Sequence, residues 1–274
     1  LSIRHIPQTT KIYDRHGTLL YQIYAQQNRT LITLKEVPLS MQNATLAIED
    51  KNFYSHPGFD LPAIMRAFIE NMSGRSFQGG STITQQLIKS SLLSPEQRIS
   101  RKIKEVVLAF WTERLYTKKQ ILEMYFNQIP YGGTAWGIEA AAEVYFGKPV
   151  RELSLAESAF LAGITAAPTA YSPYGPDPSR WKNRQKDVLS RMVLLGFISQ
   201  QEAKKAEEEV LQFKPMQAAI KAPHFVEYVK DLLIERYGLT MLERGGLNVY
   251  TSLDMTLQDT AQKIVADEVA KAAY

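Results

Sequence analysis

Apolar residues recur at helical spacing over most of the chain, and strand-like alternation is confined to its two ends. Near the start, the turn signal Asp14-Arg15-His16-Gly17, followed by Leu20, Gln22 and Tyr24, predicts a hairpin over 10–24. A helix over 41–50 is expected from the stripe Ala44, Ala47 and Ile48. It ends on Glu49 and Asp50, two acids set against the negative end of the helix dipole. Asp60 and Pro62 open another helix with Ile64, Met65 and Phe68 on one side, and a Gly-rich stretch, Met72 to Gly80, follows it. Residues 81–93 read as a helix, and the capping box Ser94-Pro95-Glu96-Gln97 restarts one. In that next helix Ile103, Val106, Val107, Phe110 and Arg114 set the expected buried stripe. Glu105 would then point away from the core, beside Arg101 and Lys102.

The box Thr117-Lys118-Lys119-Gln120 opens a helix with Ile121, Leu122 and Tyr125 on one face and Glu123 and Asn127 on another. A loop at Tyr131-Gly132-Gly133 leads to alanine-rich helices over 135–146 and 154–165, whose small residues suit a central position. Four prolines make 167–179 an irregular loop. A helix over 180–196 turns Val188, Leu189, Met192 and Leu195 inward and Arg184 and Arg191 outward. A short charged helix follows Ser199, and an amphipathic helix over 224–237 ends at Gly238. Leu247, Val249, Thr251 and Leu253 alternate as a strand before a last helix from Asp254. The fold class is therefore mainly α, with a small N-terminal β-hairpin and a short C-terminal α/β segment. The expected division is 1–40 as hairpin and lead-in, 41–200 as the helical domain, and 201–274 as a linker.

Charge sharpens this picture. The 274 residues carry a net charge of +4 with a pI near 9.0. The excess is local, since residues 81–120 hold eight cations against three acids. A positive region of that kind favours an anionic ligand such as a phosphate, and no nucleic-acid motif accompanies it. The absence of cysteine excludes disulfides and thiolate metal sites. No apolar run reaches the roughly 18 residues of a membrane span. The chain begins at Leu1 without Met and stops inside a helical pattern, so it is expected to be a fragment of a longer protein.

The candidate chemistry lies within 49–109. Two separated glutamates, Glu49 and Glu105, can serve as base and as acid or electrostatic organiser, the pair that glycosyl chemistry needs. Glu49 has no cation on its own helix face and is the candidate general base. Glu105 shares a face with Arg101 and Lys102, which favour its ionised form. Between them Gly80-Ser81-Thr82 opens a helix whose free N–H groups and hydroxyls suit an anion, with Gln85, Gln86 and Lys89 one turn further on.

Five ordered stretches carry a family resemblance. They are Glu49-Asp50-x-x-Phe53-x-x-His56-x-Gly58, then Gly80-x-Thr82-x-Thr84-Gln85-Gln86, then Arg101-Lys102-x-x-Glu105-x-x-x-Ala109. Lys119-x-x-Ile121-Leu122-Glu123-x-Tyr125-x-Asn127 and Arg184-x-x-x-Val188-Leu189-x-x-Met192 complete the set. Over residues 10–200 the chain resembles the peptidoglycan glycosyltransferases (family 51) of bifunctional class A penicillin-binding proteins. It departs at Gln185, where a second basic residue is common after Arg184, and at Ser90, where Asn commonly follows Lys89.

The resemblance implies a two-lobed, lysozyme-like helical domain that polymerises lipid II with inversion at the anomeric carbon and release of undecaprenyl diphosphate. Glu49 would deprotonate the acceptor hydroxyl. Lys89, Arg101 and Lys102 would hold the diphosphate, and Glu105, the second catalytic residue, would organise that site or assist the leaving group. Asp50, Phe53, His56, Gly80, Ser81, Thr82, Gln85, Gln86, Glu123 and Asn127 join the expected substrate-binding set. No cofactor is implied as essential, although Mg2+ or another divalent cation assists some members, and no dedicated metal site is evident. The implied partners are lipid II, the growing glycan strand, the membrane surface and other cell-wall synthesis proteins. The implied location is the outer face of the bacterial cytoplasmic membrane, held there by an N-terminal anchor. A muramidase or lytic transglycosylase would share the architecture but has no use for a diphosphate site, and a non-catalytic glycan-binding module would not need both acids.

Overall fold

The computed structural model describes residues 8–23, 29–60, 80–92, 99–174, 177, 179–215 and 221–272. The helix expected after Asp60, most of the Gly-rich stretch before Gly80, and the box at Ser94–Gln97 fall outside them. In chain order the elements are β1 (Thr10–Tyr13), β2 (Leu19–Ile23), α1 (Leu39–Glu49), α2 (Ile83–Leu92), α3 (Ile99–Leu115) and α4 (Lys118–Gln128). They continue with β3 (Pro130–Gly132), β4 (Ala135–Trp136), α5 (Ile138–Phe146), α6 (Leu155–Ile164), α7 (Arg180–Leu194) and α8 (Gln200–Glu208). The last are α9 (Pro223–Tyr237), α10 (Leu239–Arg244), β5 (Asn248–Tyr250) and α11 (Met255–Ala272). The chain is mainly helical, as its apolar periodicity predicts.

It divides into two compact units. One is Leu31–Pro215; the other joins Ser2–Thr30 to Met216–Tyr274. The N-terminal hairpin and residues 216–274 of the segment expected as a linker thus belong to one unit, while its first part, 201–215, stays with the helical unit. There β1 pairs antiparallel with β2 and parallel with β5, with Lys11, Ile12 and Tyr13 opposite Asn248, Val249 and Tyr250. Ile12, Leu20 and Ile23 pack with Val226, Val229 and Leu242 in its core. Asp14 shapes the hairpin turn by accepting from the backbone N–H groups of His16 and Thr18.

The helical unit is built around α6. Ser154 and Glu157 close a capping box at its start, and every residue from Ala156 to Ile164 is buried. Alanine at 156, 159 and 162 leaves room for α1 on one side and α7 on the other. Burying α1 through Met41, Ala44, Leu46, Ala47 and Ile48 delivers its last residue, Glu49, to the end of α6. Helix α2 packs against α3 and α4, which brings the second motif beside the first.

Two expectations are corrected. Ala135 and Trp136 are strand rather than helix, because Gly132 and Gly133, both at positive φ, return the chain to pair with Pro130–Gly132. The larger correction concerns α3. Ile103 is 61% exposed and Val107 49%, while Glu105 is only 3% exposed and Ala109 and Thr112 are buried. The buried face is set by polar contacts and close approach rather than by the apolar stripe. Lys102 on α3 reaches Ser81, Glu113 on α3 accepts from Thr84, and Ala109 lies against Gly58.

Gly58 has φ +93°, and a Cβ there would sit 2.7 Å from the Ala109 carbonyl oxygen. Gly58→Ala should therefore destabilise the protein by about 2–5 kcal/mol, combining backbone strain with overpacking. Gly133→Ala, where φ is +53° but nothing lies within 4 Å, should cost only the backbone strain of about 1–2 kcal/mol. Urea unfolding of the two variants checks the difference.

Candidate active site

Glu49 is clamped at both carboxylate oxygens. Gln86 Nε2 on α2 donates to Oε2 at 2.6 Å, and Thr165 Oγ1 at the end of α6 lies 2.8 Å from Oε1. The Gln86 amide is itself oriented, because its Oε1 accepts from the Tyr125 hydroxyl at 3.3 Å. Burial, joined by the Glu49 charge, pushes the Tyr125 phenol well up, so it stays a protonated donor. The chain Tyr125–Gln86–Glu49 thus fixes which end of the amide faces the acid. Tyr131 on β3 is fully buried in the same field, and burial followed by the Glu49 charge also raises its phenol. Its hydroxyl has no hydrogen-bond partner among the described residues.

Asp50 resolves the sequence puzzle of two acids at a helix end. Its carboxylate leaves α1 and accepts from the Ile83 N–H at 3.0 Å, at the positive end of α2. Both of its oxygens also meet His56 Nε2, at 2.9 and 2.8 Å. The Gly58 N–H points at His56 Nδ1, and a backbone N–H can only donate. The imidazole therefore carries its hydrogen on Nε2 and is neutral. A charge unfavourable to α1 is placed where it stabilises the start of α2.

That arrangement changes the reading of Gly80-Ser81-Thr82. The Ile83 N–H is already taken by Asp50. Thr82 and Gln85 form a reciprocal cap, Thr82 N to Gln85 Oε1 at 3.0 Å and Gln85 N to Thr82 Oγ1 at 3.2 Å. Both side chains are buried, and the Thr82 hydroxyl donates to the Gly58 carbonyl at 2.7 Å. They join α2 to the His56 turn instead of forming an open anion cradle. Ser81 and Gly80 remain partly exposed at its edge.

The cationic group gathers at the same edge. Glu105 is held by Arg101 Nε at 3.4 Å and Lys102 Nζ at 3.0 Å, and Lys102 also donates to Ser81 Oγ at 2.7 Å. Lys102 stays half open to solvent, so one acid leaves its two cations with positive charge to spare. Lys89 is exposed on α2, three residues after Gln86 and hence on the neighbouring face.

Other expected ligands serve the scaffold. Glu123 accepts from the Leu34 N–H at 2.7 Å, and Asn127 brackets Ile32 through its N–H at 3.0 Å and its carbonyl at 2.8 Å. Both residues tether the segment before α1 to α4. Phe53 is buried under Lys118, whose Nζ lies 4.6 Å from the ring centroid. Gln185 donates to the Ala156 carbonyl at 2.7 Å, which accounts for an amide at a position inside the α6–α7 contact. Arg184, expected outward, turns its Nε to the Gly163 carbonyl at 3.3 Å. Thr165, Tyr125 and Tyr131 are the site residues that motif spacing did not single out for chemistry. A lone hydroxyl ending an alanine-rich apolar helix was the available signal for Thr165. Among the described residues no group of three or more His, Cys, Asp or Glu could hold a metal ion. A surface cavity of about 400 Å3 lined by Tyr54, His56, Phe110, Arg114 and Lys118 includes neither Glu49 nor Glu105.

Helix α2 thus carries both Gln86, which holds the Glu49 carboxylate, and the edge where Ser81 meets Lys102 and its partner Glu105. A family model described as "Transglycosylase" matches residues 16–193, and the chain belongs to that family. It is 41% identical to penicillin-binding protein 1A of Aquifex aeolicus over 268 residues, 97% of this chain and 36% of that protein. It is 40% identical to penicillin-binding protein 1A of Rickettsia prowazekii over 263 residues, 93% of this chain and 33% of that protein. The crystal structure of penicillin-binding protein 1A from Haemophilus influenzae is similar with a TM-score of 0.52 and 26% identity. That match covers 94% of this chain and 28% of the other. The chain spans about a third of the length of the curated relatives it matches.

Asp50→Ala should strand a buried imidazole N–H and the Ile83 N–H together. The expected loss is about 2–5 kcal/mol of stability, measured by urea unfolding. Activity should fall even below the denaturation midpoint, because the Glu49–Gln86 contact relies on the position of α2.

Proposed function

We propose that this chain is a peptidoglycan glycosyltransferase that polymerises lipid II. The reading rests above all on Glu49, whose two oxygens are held by Gln86 and Thr165 at the junction of the first two motifs. A carboxylate so fixed is a general base with little left to reorganise. Glu49 takes the proton of the acceptor sugar hydroxyl. The freed oxygen forms a bond to the anomeric carbon of the donor from the face opposite its leaving group. The bond from that carbon to the lipid diphosphate breaks, and the diphosphate departs with the electron pair, so the configuration inverts.

Lys102, Arg101 and Lys89 supply the positive charge that the leaving diphosphate requires. Glu105 keeps Arg101 and Lys102 in register on α3 rather than acting on the sugar. No step requires a bound metal ion. The lytic alternative gives this cation group no task, since cleavage of finished glycan releases no diphosphate. The full protein would work at the outer face of the cytoplasmic membrane. The lipid II substrate, the growing strand and the membrane surface are its proposed partners. No helix among the described residues is long and apolar enough to cross a membrane.

Incubation with lipid II should yield glycan polymer, resolved by gel electrophoresis. Glu49→Gln should lower the rate by about 10²–10⁴-fold, the span of general-base catalysis, while lipid II binding persists. Muropeptide release from finished sacculi with no polymer from lipid II would overturn the reading.

A further inference from the structure

Thr165 closes α6 in helical geometry, and its side chain has two neighbours at equal distance. Oγ1 lies 2.8 Å from Glu49 Oε1 and 2.8 Å from the Ala162 carbonyl oxygen. A hydroxyl has one proton to give and two lone pairs with which to accept. The Ala162 oxygen can only accept. An ionised Glu49 can only accept as well, so in that state the single Thr165 proton serves one neighbour at a time. A hydrogen bond to the carboxylate is charge-assisted and roughly twice as strong as one to a neutral carbonyl, so the proton turns to Glu49. When Glu49 becomes a carboxylic acid protonated on Oε1, the donor roles reverse. The acid donates to Thr165 Oγ1, and the Thr165 proton turns to Ala162. Both 2.8 Å contacts then carry a proton.

We infer that Thr165 is a positioning residue for the base, a hydroxyl rotor that holds Glu49 Oε1 in both protonation states. The inference rests on the reading of Glu49 as the general base. The acceptor sugar proton ends on Glu49, and no proton leaves Thr165: its O–H bond only rotates about the Cβ–Oγ1 axis. Oε1 of Glu49 therefore keeps a hydrogen-bonded partner before and after the proton arrives. Gln86 holds the other oxygen but carries no such choice, since its amide N–H groups can only donate.

The charged and titratable surroundings leave this role to Thr165. Tyr125 on α4 is committed to Gln86, and Tyr131 on β3 is a buried phenol, raised by burial and then by the Glu49 charge, that stays protonated. Asp50, next in the chain, is closed in its pair with His56 and the Ile83 N–H. On α7, packed against both α1 and α6, Arg184 reaches the Gly163 carbonyl. On α2, Lys89 is exposed.

The test compares Thr165→Val, which keeps the shape and removes the hydroxyl, with Thr165→Ser, which keeps the hydroxyl. Lipid II polymerisation is followed as kcat and KM. Removing the hydroxyl leaves Oε1 unheld in both protonation states, so at neutral pH Thr165→Val should lower kcat about tenfold with KM within twofold of the parent. Thr165→Ser should restore kcat. Thermal unfolding checks the fold, and Thr165→Ala replaces the valine variant should that one not fold. A kcat within twofold of the parent in the variants lacking the hydroxyl, or one that Thr165→Ser does not restore, overturns the proposal. So does a rise in KM as large as the fall in kcat, as a general loosening of the site would give. Glu49→Gln in the same assay separates the two levels. Retained turnover there removes the base assignment itself, whereas a dead Glu49→Gln with an unchanged Thr165→Val kcat removes only the rotor.

Discussion

The Asp50 carboxylate is the contact on which the site depends. It is buried, and it is satisfied from two sides, by the His56 Nε2–H that its two oxygens share and by the Ile83 N–H. A buried charge without such partners would cost several kcal/mol, roughly the whole margin of a domain's stability. With them it locks the end of α1 to the start of α2. Glu49 precedes it by one residue and Gln86 follows Ile83 by three, so the same lock brings base and amide within 2.6 Å. His56 takes no part in proton transfer in this arrangement. Its Nδ1 accepts from Gly58 and its Nε2–H faces Asp50, which makes it a strut between a turn and a helix start.

The two glutamates differ because their neighbours differ. Glu49 is met by neutral donors, Gln86 and Thr165. Glu105 is met by Arg101 and Lys102. Neutral donors fix a carboxylate in place without a countercharge, while the two cations on α3 spend part of their own charge on theirs. The proposed base and the proposed anion site therefore differ in partner chemistry, and α2 contributes to both through Gln86 and the preceding Ser81.

Most of the helical order was legible in the sequence, because capping boxes and alanine-rich packing are local signals. The boxes at Thr117, Ser154 and Ser199 are all formed. The face of α3 was not legible. Its apolar positions are spaced for burial, yet Gly58 admits the Ala109 backbone at a distance only glycine allows, and Thr84 and Ser81 supply polar partners on that side. Close approach and hydrogen bonds between distant segments leave no periodic mark. The same limit explains Glu123 and Asn127. Their spacing marks one helix face, but nothing in the spacing says that Ile32 and Leu34 cover it. Motif order located Glu49, Gln86, Lys102 and Glu105 in the sequence, while Thr165 stands alone at a helix end and becomes visible only once α1 is docked on α6.

The pairing of β1 with β5 has a consequence for how the molecule comes into being. Lys11 and Asn248 are partners, so the smaller unit cannot be completed until synthesis has passed Asn248, more than two hundred residues after the hairpin. A two-stranded hairpin is at best marginally stable alone, and β1–β2 must wait for Val226, Val229 and Leu242 to cover Ile12 and Leu20. The helical unit between them is continuous in sequence from Leu31 to Pro215 and can form while the ribosome is still extending the remainder. Assembly therefore runs from the inside of the sequence outward. The hairpin is made before the helical unit and placed after it, and a pause between Pro215 and Asn248 would leave a folded helical body with the hairpin still lacking its third strand.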